Sequence, residues 1–312
     1  MMAGHLPYLD AAAVRSLSMT DAVDALERAL RDGLDPATDP PRMVVDGEVG
    51  QLLVMPSSAG RRFSVKLVSV APAVPSEPTA PTLPRIQGLV VLFDPTTLAP
   101  AALVDGAALT SVRTPAVSAL AVRHLARPDA RRLVVFGSGP QAAGHIAAMA
   151  AVRPVEDVVV VGRDQSRAAG LVARVQESGL VCRVGTPADV AEADLVVCAT
   201  TASEPVFDGQ LVPDGACVVA VGSHEPTARE VDEVLVRRSR IVVEETGTAL
   251  REAGDLVLAG VNGDDVTQLA DVVRRSQGPG REWEAGRPTL VKTVGMAWED
   301  AVVAAEAVTR LG

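Results

Sequence analysis

The stretch that decides the fold of this chain is Leu133-Val134-Val135-Phe136-Gly137-Ser138-Gly139-Pro140-Gln141-Ala142-Ala143-Gly144-His145. Apolar residues typical of a buried strand lead directly into a glycine-rich turn, and the residues after the turn are typical of a helix. The first glycine permits a tight turn, the second lets the backbone approach phosphate oxygens, and the N–H groups at the helix start face the anion. We therefore predict that a dinucleotide is bound by Gly137, Ser138, Gly139, Pro140 and Gln141.

The context of this turn favours a nucleotide site over an ordinary structural turn. Ala142 and Ala143 stand where a third glycine is common, and both are small enough for close helix packing. A second apolar strand at 157–162 follows after a helix-length interval and completes a βαβ unit of about 30 residues. Alternating strands and helices then indicate a parallel, doubly wound Rossmann sheet. The predicted strands are 133–136, 158–161, 180–184, 194–199, 217–221 and 241–243.

The first part of the chain has a different pattern. The run Ser18-Met19-Thr20-Asp21 is typical of a capped helix start. Short apolar runs at 43–45, 52–55, 63–70, 89–93 and 101–104 are separated by turn residues and predict an antiparallel sheet. The proline-rich segment 71–84 is interpreted as an extended loop, either a lid or a plain connector. A last helix over 296–310 is expected to pack back on this region, which predicts an α+β domain of 1–114 with 292–312 and a Rossmann domain of 115–291.

Composition limits the classes of partner. A formal net charge of -10 argues against binding to nucleic acid or to an anionic membrane surface. No apolar run approaches the roughly 18 residues of a membrane span, and we predict a cytoplasmic protein. The three cysteines, Cys182, Cys198 and Cys217, lie in apolar runs and are interpreted as reduced core residues. The four histidines lack metal-ligand spacing, so no metal site is predicted.

Two cations in the first domain are candidates for chemistry. Lys66 lies in a predicted strand with apolar residues on both faces, where an unpaired ammonium would cost several kcal/mol. It either reaches an edge of the sheet, is paired with an acid, or is aimed at an anionic substrate. Arg113 is expected at a junction between a strand and a helix, just before a predicted helix over 116–125 that Pro115 precedes, where a guanidinium suits bidentate carboxylate binding or acts as a structural clamp.

Other candidates follow the Rossmann strands, whose carboxyl ends form the binding edge of such sheets. His224 follows the fifth strand, where an imidazole can transfer a proton beside a nicotinamide, although a lone loop histidine is commonly just a polar surface residue. The cofactor-binding candidates at the same edge are Thr200, Thr201, Val221, Gly222 and Ser223.

Residues at the end of the second strand are expected to determine whether NAD or NADP is bound. The acid that binds the ribose hydroxyls of NAD is expected there, but this chain has Arg163 first and Asp164 one position late. Arg163, with Ser166 and Arg167, favours the 2′-phosphate of NADP, with NAD as the alternative.

Several ordered motifs resemble the ornithine cyclodeaminase and mu-crystallin family over nearly the full chain. They are Pro41-Arg42, Val65-Lys66-Leu67-Val68, Pro84-Arg85-Ile86-Gln87-Gly88, residues 109–121, the loop 137–142, Val221-Gly222-Ser223-His224-Glu225-Pro226, Arg229-Glu230-Val231-Asp232 and Lys292-Thr293-Val294-Gly295. The resemblance implies a homodimer in which the N-terminal sheet and the C-terminal helix build the substrate site. It also implies that Arg42, Lys66 and Arg113 clamp a substrate carboxylate, and that Val294 lies close to the substrate and the nicotinamide.

This sequence departs from the cyclodeaminases at one important position. They carry an aspartate where this chain has His224, and a histidine there is more similar to members that reduce cyclic ketimines or oxo acids. Arg85 also replaces a small hydroxyl residue, with no role that the sequence defines. We therefore predict an NAD(P)H-dependent reductase of α-imino acids such as pyrroline-2-carboxylate, with Lys66 or His224 as catalytic proton donor. The alternatives are a cyclodeaminase-type lyase that uses catalytic NAD and a nonenzymatic NADP-dependent binding protein of the mu-crystallin type.

Overall fold

The structure is a computed structural model that describes residues 6–59, 62–72 and 83–311. The chain divides into two compact units, one of Met1–Arg113 with Met296–Gly312 and one of Thr114–Gly295. The sequence placed these boundaries after residues 114 and 291. Residues 73–82 of the proline-rich segment lie outside the described residues, so its interpretation as a lid or a connector stays a prediction.

The first unit contains a six-stranded sheet with the spatial order β1-β6-β5-β4-β3-β2. Strands β2 to β6 pair as antiparallel neighbours, as the turn residues between them predict. The short strand β1 was not predicted, and it pairs parallel with β6. The strands are β1 (Tyr8–Leu9), β2 (Met43–Asp46), β3 (Gln51–Ser57), β4 (Ser64–Val70), β5 (Ile86–Phe93) and β6 (Pro100–Asp105).

Two helices precede the longer strands of this sheet, α1 (Ala11–Arg15) and α2 (Met19–Arg31). Helix α2 begins where the sequence predicts, because the hydroxyl of Ser18 accepts a hydrogen bond from the backbone N–H of Asp21 at 3.1 Å. Its buried face includes Val23, Leu26 and Leu30, which recur at helical spacing.

Helix α3 (Gly106–Leu125) is longer than the sequence predicted. The predicted helix over 116–125 was wrong about the start, because Pro115 was interpreted as a boundary and it lies inside the helix. Asp105 supplies the missing start signal, since its side chain accepts from the N–H of Ala108 at 2.7 Å. Arg113 therefore lies within a helix and not at a junction between a strand and a helix.

The second unit contains an eight-stranded sheet with the order β13-β12-β14-β11-β10-β7-β8-β9, and all of its pairs are parallel. The strands are β7 (Arg132–Phe136), β8 (Asp157–Val161), β9 (Val181–Val184), β10 (Leu195–Cys198), β11 (Cys217–Ala220), β12 (Arg240–Val243), β13 (Val266–Gln268) and β14 (Thr289–Lys292). The helices of this unit after α3 are α4 (Pro140–Val152), α5 (Gln165–Glu177), α6 (Glu233–Arg238), α7 (Thr246–Glu252), α8 (Gly254–Val257) and α9 (Leu269–Arg275).

The six predicted Rossmann strands all form, and the predicted parallel, doubly wound sheet is confirmed. Strands β13 and β14 were not predicted. Strand β14 lies between β11 and β12, so Lys292 belongs to the Rossmann sheet and not to the first unit. Buried side chains from both strand runs and helices form the core of this unit, and the free thiols of Cys182, Cys198 and Cys217 are buried in it as expected.

The last helix, α10 (Ala297–Leu311), returns to the first unit and packs on β3, β4, β5 and α2. Ala297 joins a small core with Leu53, Met55, Val68 and Val70. The predicted return of the C-terminal helix is thus confirmed. Among the described residues, no helix combines the length and the apolar character that crossing a membrane requires, and the cytoplasmic location stays a prediction.

Candidate active site

The glycine turn after β7 has the geometry that a pyrophosphate requires. Gly137 has φ +117°, and a Cβ there would lie 2.5 Å from the carbonyl oxygen of Ala199. Gly139 begins α4, and a Cβ on it would meet no atom within 4 Å. None of the described side chains caps the N-terminus of this 13-residue helix, where the first backbone N–H groups have no partner within the helix. An anion such as the pyrophosphate of a dinucleotide fits this arrangement.

The turn after β8 carries the residues predicted to select the cofactor. Arg163, Ser166 and Arg167 are all exposed. Asp164 caps α5, because its carboxylate accepts a hydrogen bond from the N–H of Arg167 at 3.0 Å. Asp164 thus uses one carboxylate oxygen as a helix cap, and the exposed Arg163 directly precedes it.

Glu230 joins the ends of two neighbouring strands. One of its carboxylate oxygens accepts from the N–H and the hydroxyl of Thr200, both at 2.7 Å, and the other accepts from the N–H of Gly222 at 2.6 Å. Burial raises the pKa of Glu230, although Lys292 and the hydrogen bonds lower it. The structure thus brings together Thr200 after β10 and Gly222 after β11, two predicted cofactor-binding positions.

The remaining predicted residues of this edge differ in their exposure to solvent. His224 is partly exposed, Val221 and Gly222 are half-buried, and Thr201 is exposed. The Ser223 hydroxyl is directed inward and donates to the carbonyl of Ala228. Any contact of Ser223 with a cofactor therefore involves its backbone.

Val294 is 8% exposed and is the second residue after the end of β14. Its N–H donates to the buried carboxylate of Glu244 at 2.7 Å, and the N–H of Gly295 donates to the same carboxylate at 3.0 Å. Gly295 has φ +78°, which permits the turn that ends this unit. Glu244 was not recognised in the sequence as the residue that holds this turn.

The two predicted cations of the first unit meet at one carboxylate. Lys66 lies on the buried face of β4 and is 2% exposed, while Arg113 is 6% exposed. Asp300 accepts from the ammonium of Lys66 at 2.9 Å and from Nε of Arg113 at 2.9 Å. Glu299 accepts from the same guanidinium at 3.0 Å. Both acids lie in the first turn of α10, where the positive end of the helix dipole favours them.

This cluster sets the protonation of its members. Burial lowers the pKa of Lys66 to about 8, because the nearby Asp300 only partly offsets the desolvation of the ammonium and Arg113 adds to the lowering. Burial acts to raise the pKa of Asp300, but Arg113 and Lys66 together outweigh it and hold that pKa below its ordinary value. Lys66 is therefore charged at neutral pH but holds its proton less tightly than an exposed lysine.

Arg42 is half-buried and lies directly before β2, where it remains the third predicted member of the carboxylate clamp. Arg85 donates to the carbonyl of Ala71 and so ties the two described ends of the proline-rich segment to each other.

The acids Asp300 and Glu299 were missed because α10 was interpreted as an alanine-rich packing helix. The available signal was the burial of Lys66 and Arg113 itself, since buried cations require acidic partners. The two adjacent acids at the start of the last helix were candidates for these partners.

The fold and the glycine turn define a Rossmann-type dinucleotide-binding protein whose first unit carries a buried cluster of cations and acids. The chain belongs to the ornithine cyclodeaminase/mu-crystallin family, whose sequence profile it matches over residues 9–310.

Three similar proteins illustrate the range of this family. The Delta(1)-pyrroline-2-carboxylate/Delta(1)-piperideine-2-carboxylate reductase of Azospirillum brasilense is 36% identical over 300 residues, which cover 94% of this chain and 93% of that protein. The structure of the Thermococcus litoralis Delta(1)-pyrroline-2-carboxylate reductase in complex with NADH and L-proline has a TM-score of 0.87 at 30% identity and covers 97% of both chains. An archaeal alanine dehydrogenase dimer with bound NAD has a TM-score of 0.87 at 26% identity, covering 97% of this chain and 95% of that one.

Proposed function

We propose that this protein is an NAD(P)H-dependent reductase of cyclic α-imino acids such as pyrroline-2-carboxylate, which it converts to the corresponding amino acids. The observation that carries the proposal is the buried Lys66, a cation poised near neutral pH in a chain similar over nearly its whole length to reductases of such substrates. The nicotinamide cofactor supplies the hydride that the imine carbon accepts.

The first step that the chain performs is to hold the substrate carboxylate. An ammonium has three N–H groups and Asp300 takes one from Lys66, while the guanidinium of Arg113 is held by Asp300 and Glu299 and contributes its positive charge. The two acids balance these two cations, so Arg42 supplies the additional charge for an incoming carboxylate. That carboxylate in turn raises the pKa of Lys66 and keeps it protonated.

The second step is proton delivery. Hydride addition to Cα moves the electron pair of the C=N bond onto nitrogen, which then requires one proton. Lys66 and His224 are the two candidate donors. They are distinguished by comparing the pH dependence of kcat/KM in the native protein and in His224→Asn, because the burial of Lys66 lowers its pKa to about 8.

NADPH is proposed as the preferred cofactor. The support is local, since Arg163, Ser166 and Arg167 are exposed after β8 and the carboxylate of Asp164 is used as a helix cap.

A homodimer is also proposed, formed through the outer face of the first sheet. One row of paired positions crosses β2 to β5, and three of its four residues, Met43, Leu67 and Leu89, are exposed at 60%, 38% and 37%. Val45 and Leu52, a further pair on this face, are 47% and 41% exposed. An apolar face of this kind is typical of an interface between copies. We expect Leu67→Glu to convert a dimer to a monomer in light scattering, whereas Leu258→Glu, at a 47% exposed position of the second unit, leaves the mass unchanged.

The activity itself is tested by measuring NADPH oxidation across cyclic imino acids and across 2-oxo acids with added amines. We expect one proline formed for each NADPH consumed with pyrroline-2-carboxylate. Ammonia release from ornithine without net change in the cofactor would replace the reductase by the lyase.

A further inference from the structure

A second buried ion pair lies in the Rossmann unit and has no part in the steps above. Lys292, the last residue of β14, and Asp255 in α8 are 2.9 Å apart and both are fully buried. The ammonium of Lys292 also donates to the backbone carbonyl of Ser223 at 2.6 Å. Ser223 directly precedes His224, so this pair acts on the segment that carries the candidate proton donor.

The contacts of Asp255 extend to the strand ends. Its second oxygen accepts from the backbone N–H groups of Glu230 and Val231, at 2.7 and 2.9 Å. The Glu230 carboxylate in turn holds Thr200 and Gly222. The Lys292–Asp255 ion pair, together with the hydrogen bonds of Asp255 and Glu230, therefore connects Lys292 to the ends of β10 and β11.

The segment 222–230 is held at both of its ends by this series. Lys292 holds its start at the Ser223 carbonyl, and Asp255 holds its end at the Glu230 N–H. The middle packs on the backbone of α8, because a Cβ on Gly254 would lie 2.0 Å from the carbonyl oxygen of Ala228 and 2.6 Å from that of Glu225. His224 is thus partly exposed on a segment whose backbone is held by contacts with Lys292, Asp255 and α8.

Stability alone is a poor explanation for such an arrangement. Replacing a buried ion pair by apolar residues of similar volume is often neutral or stabilising, whereas charged groups select particular hydrogen-bond partners. Here the selected partners are one carbonyl and two N–H groups of the segment that bears His224.

We propose that Lys292 and Asp255 are positioning residues that fix segment 222–230 and thereby orient the His224 imidazole for proton transfer. This inference rests on the proposed imine reduction. Neither residue touches the substrate, and both act through His224.

The decisive variant is Lys292→Met/Asp255→Asn. Removing both charges together avoids an uncompensated buried carboxylate, and both replacements have volumes similar to the original side chains. The asparagine oxygen can still accept from Glu230 and Val231, so the lost interaction is the bond to the Ser223 carbonyl. The matched control is Arg153→Met. Arg153 follows α4, at the opposite edge of the sheet, and is 5% exposed. Its guanidinium donates to the backbone carbonyls of Val122 and Ala126.

Two measurements are made on both proteins. Hydrogen exchange of the peptide 221–231 should become about 10-fold faster in the double variant and stay unchanged in the control. The value of kcat/KM with pyrroline-2-carboxylate should fall about 10-fold to 100-fold, because small misplacements of a catalytic group are costly. In a His224→Asn background the same double substitution should cause no further fall.

The inference is overturned if the exchange of this peptide is unchanged, or if the double substitution lowers kcat/KM as much without His224 as with it. Failure of the proposed function gives a different result, namely no NADPH oxidation by the native protein with any imino acid. In that case the exchange of peptide 221–231 alone tests the positioning role: faster exchange in the double variant supports it, and unchanged exchange contradicts it.

Discussion

Replacing Lys66 by methionine tests whether the buried cluster of the first unit binds substrate or only joins α10 to the sheet. The substitution keeps most of the side-chain volume and removes the charge. Asp300 loses the ammonium contact at 2.9 Å but keeps the guanidinium of Arg113, also at 2.9 Å. The fold is therefore expected to survive, since the acid is not left without a cation.

The substitution should lower the unfolding free energy less than it lowers the stabilisation of the transition state. Breaking a buried ion pair outright costs about 3–5 kcal/mol. Here Asp300 keeps its contact with Arg113, and methionine does not carry the cost of burying an ammonium. The loss in unfolding free energy should therefore be only ~1–2 kcal/mol. Losing one charged contact in a dry site should cost ~2–4 kcal/mol of transition-state stabilisation, which lowers kcat/KM about 30-fold to 1000-fold.

Stability should also change its dependence on pH. The pKa of Lys66 is lowered to about 8 in the folded protein from 10.5, so the unfolded chain binds more protons between these values. The unfolding free energy contributed by Lys66 is thus lowest below pH 8 and rises towards pH 10.5. This rise should disappear in Lys66→Met.

Urea unfolding at pH 7 and pH 9.5, with steady-state kinetics at saturating NADPH, measures all three effects. Arg28→Met is the control. Arg28 in α2 pairs with Glu306 in α10 at 3.0 Å, but the side chain of Arg28 is 55% exposed. It should change the unfolding free energy by less than ~0.5 kcal/mol and leave kcat/KM unchanged. Near-native turnover of a folded Lys66→Met protein would refute the clamp and make Lys66 a structural lysine.

Four further substitutions address the Rossmann unit. The native protein should prefer NADPH, and Arg163→Ala should remove a charge-assisted contact of ~1.5–3 kcal/mol, so equal use of NADPH and NADH by the native protein contradicts the assignment. His224→Asn should leave NADPH binding intact, lower kcat/KM for imine reduction about 10-fold to 1000-fold and flatten a limb of the pH profile between about pH 6 and 8, whereas unchanged reduction removes His224 from the mechanism. Gly137→Ala should lower the melting temperature, because its Cβ would lie 2.5 Å from the Ala199 carbonyl oxygen, while Gly139→Ala, with no atom within 4 Å, should keep it and weaken NADPH binding in calorimetry. Equal melting temperatures for the two glycine variants would contradict this account of the turn.

The Rossmann sheet could be predicted because its main strands are continuous valine-rich runs bounded by turn residues. Such runs are typical of parallel strands buried on both faces, and β7, β8, β10 and β11 are fully apolar at nearly every position. Strand β14 contains few apolar residues and inserts between two strands that precede it in sequence, which no local pattern indicates. The start of α3 was missed for a different reason, since a proline ordinarily ends a helix and here Pro115 is retained within one.

The candidate site could be predicted only in part. Lys66 and Arg113 were recognisable because buried cations stand out in apolar surroundings. Their partners Asp300 and Glu299 are separated from Lys66 by more than 230 residues, so only the fold brings them together. Glu230 and Glu244 were likewise not recognised as residues that hold backbone N–H groups, because a carboxylate used in this way has no fixed sequence spacing.

The most direct test of the proposed reaction follows the transferred hydrogen. The protein is incubated with pyrroline-2-carboxylate and NADPH deuterated at both C4 positions, and the product is analysed by mass spectrometry and NMR. A reductase delivers one deuterium to Cα of proline for each NADPH oxidised and releases no ammonia from ornithine. Proline formed from ornithine with stoichiometric ammonia and no net oxidation of NADPH, or no deuterium at Cα of the product from the imine, would contradict this account.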